Sequence, residues 1–180
     1  MPILYKNGYR PNVCIVLCNK NNQVMIFNRI YDNGWQFPQG GINEDEKPID
    51  AMYRELYEET GLGREDIKLI ARTHNWISYN IPNRWIRPSS RGLINGQKQI
   101  WYLCQILVSS KQINLKATNH PEFSEWEWIE YWEPINRIIN FKKSVYQRAL
   151  IELSQYMPGG AVTINKLFPS SNKDQYLENH

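Results

Sequence analysis

The segment from Pro48 to Gly61, PIDAMYRELYEETG, is what most constrains the fold, because it reads as one short helix with a signal at each end. Proline suits the first helical position, and glycine suits the residue just past the last turn. At about 100° per residue, Ile49, Met52, Tyr53 and Leu56 form an apolar stripe able to pack on a sheet. Glu55, Glu58 and Glu59 stand at i, i+3 and i+4 on a neighbouring face. Like charges at that spacing oppose the helix by a few tenths of a kcal/mol per pair, and only Arg54 offers local relief. Acids on a helix face are ordinarily a solvated surface, yet a helix needing only solubility would mix in lysine. A bound divalent cation turns the repulsion into attraction, and oxygen donors suit Mg²⁺ or Mn²⁺.

Around this helix the chain alternates strand-like and loop-like stretches. Val13 to Asn19 and Gln23 to Ile30 read as strands joined by the polar turn Lys20-Asn21-Asn22. Tyr31 to Gly41 reads as loop, punctuated by Asn33-Gly34, Pro38 and Gly40-Gly41. Further strands are expected at Ile67 to Arg72, Asn75 to Tyr79, Gln99 to Val108 and Glu125 to Tyr131, with a helix over Ser144 to Tyr156. Asn80 to Gly96 reads as a long loop of the kind that usually carries function or disorder. The expected fold class is α/β, a mixed β-sheet sandwiched between α-helices, in one domain over 1–158. Residues 159–180 read as a polar C-terminal tail, at least partly disordered.

Composition narrows the setting. No apolar run is long enough to span a bilayer, and the first ten residues lack the plan of a signal peptide. A cytoplasmic location is therefore expected. Cys14, Cys18 and Cys104 lack metal-binding spacing and read as small buried hydrophobes in a reducing compartment. Trp126, Trp128 and Trp132 read as core aromatics. The net charge is only +3, but there is no Asp or Glu from Ile67 to Pro121. That stretch carries Lys68, Arg72, Arg84, Arg87, Arg91, Lys98, Lys111 and Lys116, a basic block suited to a polyanion.

The segment Gly40 to Leu62, GGINEDEKPIDAMYRELYEETGL, resembles the signature box of the Nudix hydrolases at every fixed position. Gly40, Glu46, Arg54-Glu55-Leu56, Glu58-Glu59 and Gly61-Leu62 carry the match. The resemblance implies hydrolysis of a phosphoanhydride bond with several Mg²⁺ or Mn²⁺ ions. It implies Glu55, Glu58, Glu59 and the Gly40 carbonyl as metal ligands, Arg54 as the residue that orients the glutamates, and Glu46 in a supporting electrostatic role. Glu122, in Pro121-Glu122-Phe123, looks like the distal carboxylate that binds metal or takes the proton of water. The chemistry agrees, since cations neutralise the crowded phosphates and make water acidic enough to attack phosphorus. Neither Gly40 nor Gly41 has a Cβ, so backbone and ligand can approach closely.

The resemblance extends over roughly residues 8 to 156 to the bacterial RNA pyrophosphohydrolases, through Gly8 to Val13, Trp35 to Gly41, Gly96 to Gln99, Pro121 to Phe123 and Phe141 to Lys143. Those enzymes trim the 5′-triphosphate end of single-stranded RNA to a monophosphate, which exposes the transcript to decay. Positions matching their substrate contacts are Arg29, Ile139, Phe141 and Lys142, with Ile139 where valine is more usual. Arg29 and Phe141 would sandwich a base, Arg10 and Lys98 would meet phosphates, and Gly41 would also bind substrate. Diadenosine tetraphosphate and other dinucleoside polyphosphates are the alternative substrates, since their hydrolases share the WQFPQGG-type segment. A binding module without turnover is a third reading, opposed by the complete set of acids, because binding an anion needs no carboxylate cluster beside it. No protein partner is deducible.

Overall fold

Ten residues of unbroken pairing build the centre of the sheet. β1, Tyr9–Cys18, runs parallel to β9, Gly96–Ile106, from the Tyr9–Gly96 pair to the Cys18–Gln105 pair. This geometry is that of a computed structural model, which describes residues 7–86, 88–89 and 92–163. The run Val13 to Cys18 is buried throughout, as expected of a strand covered on both faces.

The main path of the sheet is β10–β2–β1–β9–β5, where β2 is Gln23–Arg29, β5 Ile67–Arg72 and β10 Phe123–Glu130. β3 (Trp35–Gln36) adds to β2, β4 (Gln39–Gly41) adds to β1, and β6 (Ile77–Asn80) adds to β9. Among the described residues every pairing except β1–β9 is antiparallel.

Alternation along β1 divides the interior into two cores. Val13, Ile15 and Leu17 pack with Met25, Phe27, Ile100 and Tyr102 against Ala51, Met52 and Leu56 of helix α1, Pro48–Thr60. Cys14, Val16 and Cys18 pack with Trp101 and Leu103 against Val145, Tyr146, Ala149 and Leu150 of the later helix at Lys143–Leu153. A short helix, α2 (Pro134–Arg137), precedes that one, which is therefore α3. The sheet is thus sandwiched between helices, the expected α/β class. All three cysteines are buried and free, Cys14 and Cys18 on the α3 side and Cys104 on the α1 side. Trp132 is buried, while Trp126 and Trp128 are half-buried against the α1-side core. No helix among the described residues is long and apolar enough to cross a membrane.

Several boundaries differ from expectation. The stretch Tyr31 to Gly41 is not all loop, for β3 and β4 lie inside it. Each is too short and too interrupted by Pro38 and glycine to show a period, and only its distant partner strand defines it. The stretch Asn80 to Gly96 holds a 3-10 turn at Asn83–Trp85 and a small ladder, β7 (Pro88–Ser89) with β8 (Gly92–Leu93). α3 ends at Leu153 and continues as a 3-10 turn over Ser154–Tyr156. Part of the expected tail packs on the domain: Trp132 Nε1 donates to the Thr163 carbonyl at 3.1 Å, and Val162 N–H to Ser154 O at 3.1 Å. Residues 164–180 of that tail lie outside the described residues.

Candidate active site

α1 begins at Pro48 and ends on Gly61, whose φ of 73° lets its N–H reach back to Tyr57 O at 2.8 Å. Only a residue without Cβ takes that left-handed conformation cheaply. The helix presents its acids towards β4 and the loop that follows it. Arg54 is the hub. Its Nε and Nη2 donate to the two carboxylate oxygens of Glu46 at 2.8 and 2.9 Å, and Nη2 also donates to Gly41 O at 2.8 Å. Its Nη1 reaches Glu55 at 2.6 Å and Glu58 at 3.4 Å. This bidentate fork holds the Glu46 carboxyl below its usual range, with the Arg54 hydrogen bonds as the largest cause. Glu46 also accepts from Asn43 N–H at 2.8 Å, which closes the loop ahead of the helix. Arg54 thus contacts Glu46, Glu55 and Glu58 at once.

The three helical acids do not share one environment. The Glu58 side chain is 44% exposed, Glu55 is nearly enclosed, and Glu59 is buried. A helical wheel leads to the expectation of one acidic surface, but the wheel cannot show that β4 covers one edge of it. Gln39 N–H donates to Glu59 Oε2 at 3.0 Å, while Glu59 Oε1 is buried without a hydrogen-bond partner. Burial, then the charges of Glu122 and Glu55, push the Glu59 carboxyl well above its usual range. Burial likewise lifts Glu55 to about 7, against the pull of Arg54, and Glu58 and Glu122 add to the rise. Glu122, itself exposed, is thus brought to the same cluster from the far end of the sequence.

Whether this cluster suits a divalent cation can be judged from its donors. Among the described residues, no three acidic, histidine or cysteine side chains are already gathered as a metal cage. Arg54 draws Glu55 and Glu58 aside. Yet the donors are all oxygens, their charges raise one another's pKa, and a buried carboxylate oxygen lacks any partner. Such a set fits a hard cation of the Mg²⁺ type. A Cβ on Gly40 would overlap the Glu55 carboxyl group, so glycine is required for the close approach of strand to helix.

Arg10 joins the site from β1. A Cβ on Gly41 would overlap its guanidinium group, which places Arg10 against β4. Burial lowers the Arg10 pKa, and the charges of Glu55, Tyr79 and Glu122 oppose that shift. Its Nε is buried without a partner.

A groove of about 640 Å³ opens beside these residues. Arg29, Ile139, Phe141 and Lys142 all line it, so two segments far apart in sequence meet in one place. Ile30 N–H donates to Glu122 O at 2.9 Å, which sets this groove next to the acidic cluster. Phe141 is half-buried, its ring centroid 6.1 Å from that of Tyr79. Lys142 departs from a solvated lysine: it is 6% exposed, donates to Gln36 Oε1 at 3.3 Å, and burial pulls its pKa down to about 8. Lys98 is not among the groove residues, and its ammonium lies 4.7 Å from the Trp76 ring centroid. The basic block is dispersed: Lys68 and Arg72 sit on β5 and Arg84 beside Trp85, while Arg87 and Arg91 lie outside the described residues.

A model of the NUDIX domain matches residues 8–149. The chain belongs to the Nudix family. It is accordingly a hydrolase of phosphoanhydride bonds, and Nudix enzymes in general use divalent cations. Solved structures agree on the fold. The E. coli dihydroneopterin triphosphate pyrophosphohydrolase matches with a TM-score of 0.63 at 17% identity, covering 83% of this chain and 99% of its own. A C. elegans Ap4A hydrolase, solved as a binary complex, matches with a TM-score of 0.54 at 14% identity, covering 77% and 93%. A NUDIX hydrolase from Listeria monocytogenes matches with a TM-score of 0.54 at 22% identity, covering 84% and 98%.

Within this Nudix domain some site residues escape a reading by sequence. Tyr31, 80% exposed, and Trp85, 47% exposed, line the groove with Trp35 and Gln36. Nothing in the sequence marks Tyr31 and Trp85 beforehand, since their exposure to water follows from the fold. Gln36 is likewise unmarked, being an ordinary polar residue until Lys142 is seen to donate to it.

Proposed function

We propose that this Nudix hydrolase is an RNA 5′-pyrophosphohydrolase that converts a 5′-triphosphate end to a monophosphate and so opens the transcript to decay. The observation that carries this reading is the groove lined by Arg29, Phe141 and Lys142, whose Arg29 adjoins Ile30, the residue that donates its N–H to the Glu122 backbone carbonyl. Aromatic and guanidinium faces in a cationic groove are how single-stranded RNA ends are held.

In this reading Glu55, Glu58, Glu59, Glu122 and the Gly40 carbonyl would hold Mg²⁺ or Mn²⁺. Bound divalent cations supply charge neutralisation at the phosphates and a more acidic water. Arg54 keeps Glu46 and Glu55 in place. Glu122, exposed at the cluster's edge, would bind metal or take the proton of water. Arg10, against Gly41, meets the phosphates, while Arg29 and Phe141 clamp the base, with Ile139 and Lys142 completing the wall.

A second reading is hydrolysis of dinucleoside polyphosphates such as diadenosine tetraphosphate. The same groove accepts a nucleobase of either substrate, and the fold is shared with an Ap4A hydrolase. The deciding experiment compares kcat/KM on a triphosphorylated oligoribonucleotide and on diadenosine tetraphosphate, both with Mg²⁺. A ratio above ten in favour of RNA is expected, and a ratio below one moves the assignment to the dinucleotide.

A further inference from the structure

β4 is three residues long, follows a proline and contains two glycines, so it has little conformational preference of its own. Yet the site depends on it, through the Gln39 N–H on Glu59 and the Gly40 backbone packed on Glu55. Beyond its pairing with β1, it is held by buried side chains that the chemistry does not use.

Gln99 on β9 is 1% exposed. Its Nε2 donates to Asn12 Oδ1 at 2.8 Å and to Gln39 Oε1 at 3.0 Å. Its Oε1 accepts from Trp101 Nε1 at 3.1 Å. One amide therefore ties β1, β4 and β9 together with both N–H groups and its oxygen engaged. A second hold lies just upstream, where Phe37 N–H donates to Tyr146 Oη at 3.0 Å. Phe37 stacks on Tyr146 with centroids 5.3 Å apart, and both rings meet the edge or face of Trp101. A buried polar network with its members satisfied allows one arrangement, since any shift strands a donor in a low dielectric.

We propose that Gln99 is a positioning residue for hydrolysis: it locks the Gln39 side chain, and through β4 it sets where Glu59 and Glu55 stand for the cation. The inference rests on the reading of these acids as cation ligands and is indifferent to which phosphoanhydride substrate is used.

The test uses the full-length protein carrying Gln99→Met, which keeps the volume and removes the hydrogen bonds. Mn²⁺ binding is titrated without substrate, and kcat and KM are measured on triphosphorylated RNA and on diadenosine tetraphosphate. The expected result is about a tenfold weaker Mn²⁺ dissociation constant, the usual cost of losing support behind a metal ligand. kcat should fall about tenfold on whichever substrate is turned over, with KM within twofold. Unchanged Mn²⁺ affinity and kcat in a folded Gln99→Met protein overturn the proposal, as does a KM that rises as much as kcat falls. If Gln99→Met does not fold, Gln39→Met carries the same expectations, because it removes only the acceptor on a half-buried side chain. Wild-type protein that binds no Mn²⁺ refutes the cation reading itself, and the proposal with it. A failure confined to the variants refutes the positioning role alone.

Discussion

Gly40 and the Glu55 carboxyl group compete for one volume, since a Cβ on the glycine would overlap the carboxyl carbon and both its oxygens. Gly40→Ala should therefore leave the fold standing, because the clash is with the flexible end of a side chain. It should displace Glu55 and lower kcat by about a hundredfold, the scale reached when a reacting group is misplaced by an ångström. Thermal melting and turnover on one preparation check this. Near-normal turnover would show that Glu55 works from another position.

Glu59 and Glu58 should separate. Glu59→Gln replaces a buried carboxyl group whose Oε1 has no hydrogen-bond partner and whose ionisation burial opposes, so the metal-free protein should melt at the same or a higher temperature while losing most turnover. Glu58→Gln alters a half-exposed side chain and should move stability by less than about 0.5 kcal/mol, again with a large loss of turnover. Melting in chelator together with activity in Mg²⁺ distinguishes them, and a strongly destabilised Glu59→Gln protein would contradict this account.

Lys142 gives a pH signature. Its folded pKa of about 8 lies below its ordinary 10.5, mainly through burial. The folded state thus carries a penalty in full below about pH 8, and the penalty is relieved as pH rises towards 10.5. Lys142→Met should raise the melting temperature most below pH 8, with the gain shrinking between pH 8 and 10.5. If Lys142 also serves RNA, KM for triphosphorylated RNA rises in the same variant. A gain independent of pH would mean that the amine is neutral or paired throughout.

Phe141→Ala tests the clamp. One base stack is worth about 1–3 kcal/mol, or roughly one to two powers of ten in affinity. That loss is expected on triphosphorylated RNA and not on a free nucleoside triphosphate, which has no downstream base. Phe141 also packs on Tyr79 and the α3-side core, so melting must be followed alongside. Equal losses on both substrates would assign Phe141 to the core.

The parts of this molecule legible in sequence are those whose signal is local. α1 announces itself by its period, by Pro48 and by Gly61, and the box acids come with it. β1 is visible because a strand buried on both faces is simply apolar. β3 and β4 are not visible, because two or three residues beside a proline carry no period and are defined by strands elsewhere. The burial of Glu59 is hidden for the same reason, since a wheel assigns faces without saying what lies on them. Asn12 and Gln39 carry no local sign of enclosure, and the amide network that joins them to the buried Gln99 follows only from three strands meeting. The groove was partly accessible through resemblance, yet Tyr31 and Trp85 join it by tertiary placement alone.

Arg54 has a consequence for the order in which this protein is made. Its guanidinium already binds Glu46, Glu55, Glu58 and the Gly41 carbonyl. A newly synthesised chain therefore carries an internal counterion for its acidic helix and need not wait for a metal to complete the domain. In small zinc domains folding and loading are a single event. If these acids hold the cations that Nudix enzymes generally use, the two are separable here, and a chelator is expected to leave an intact apoprotein.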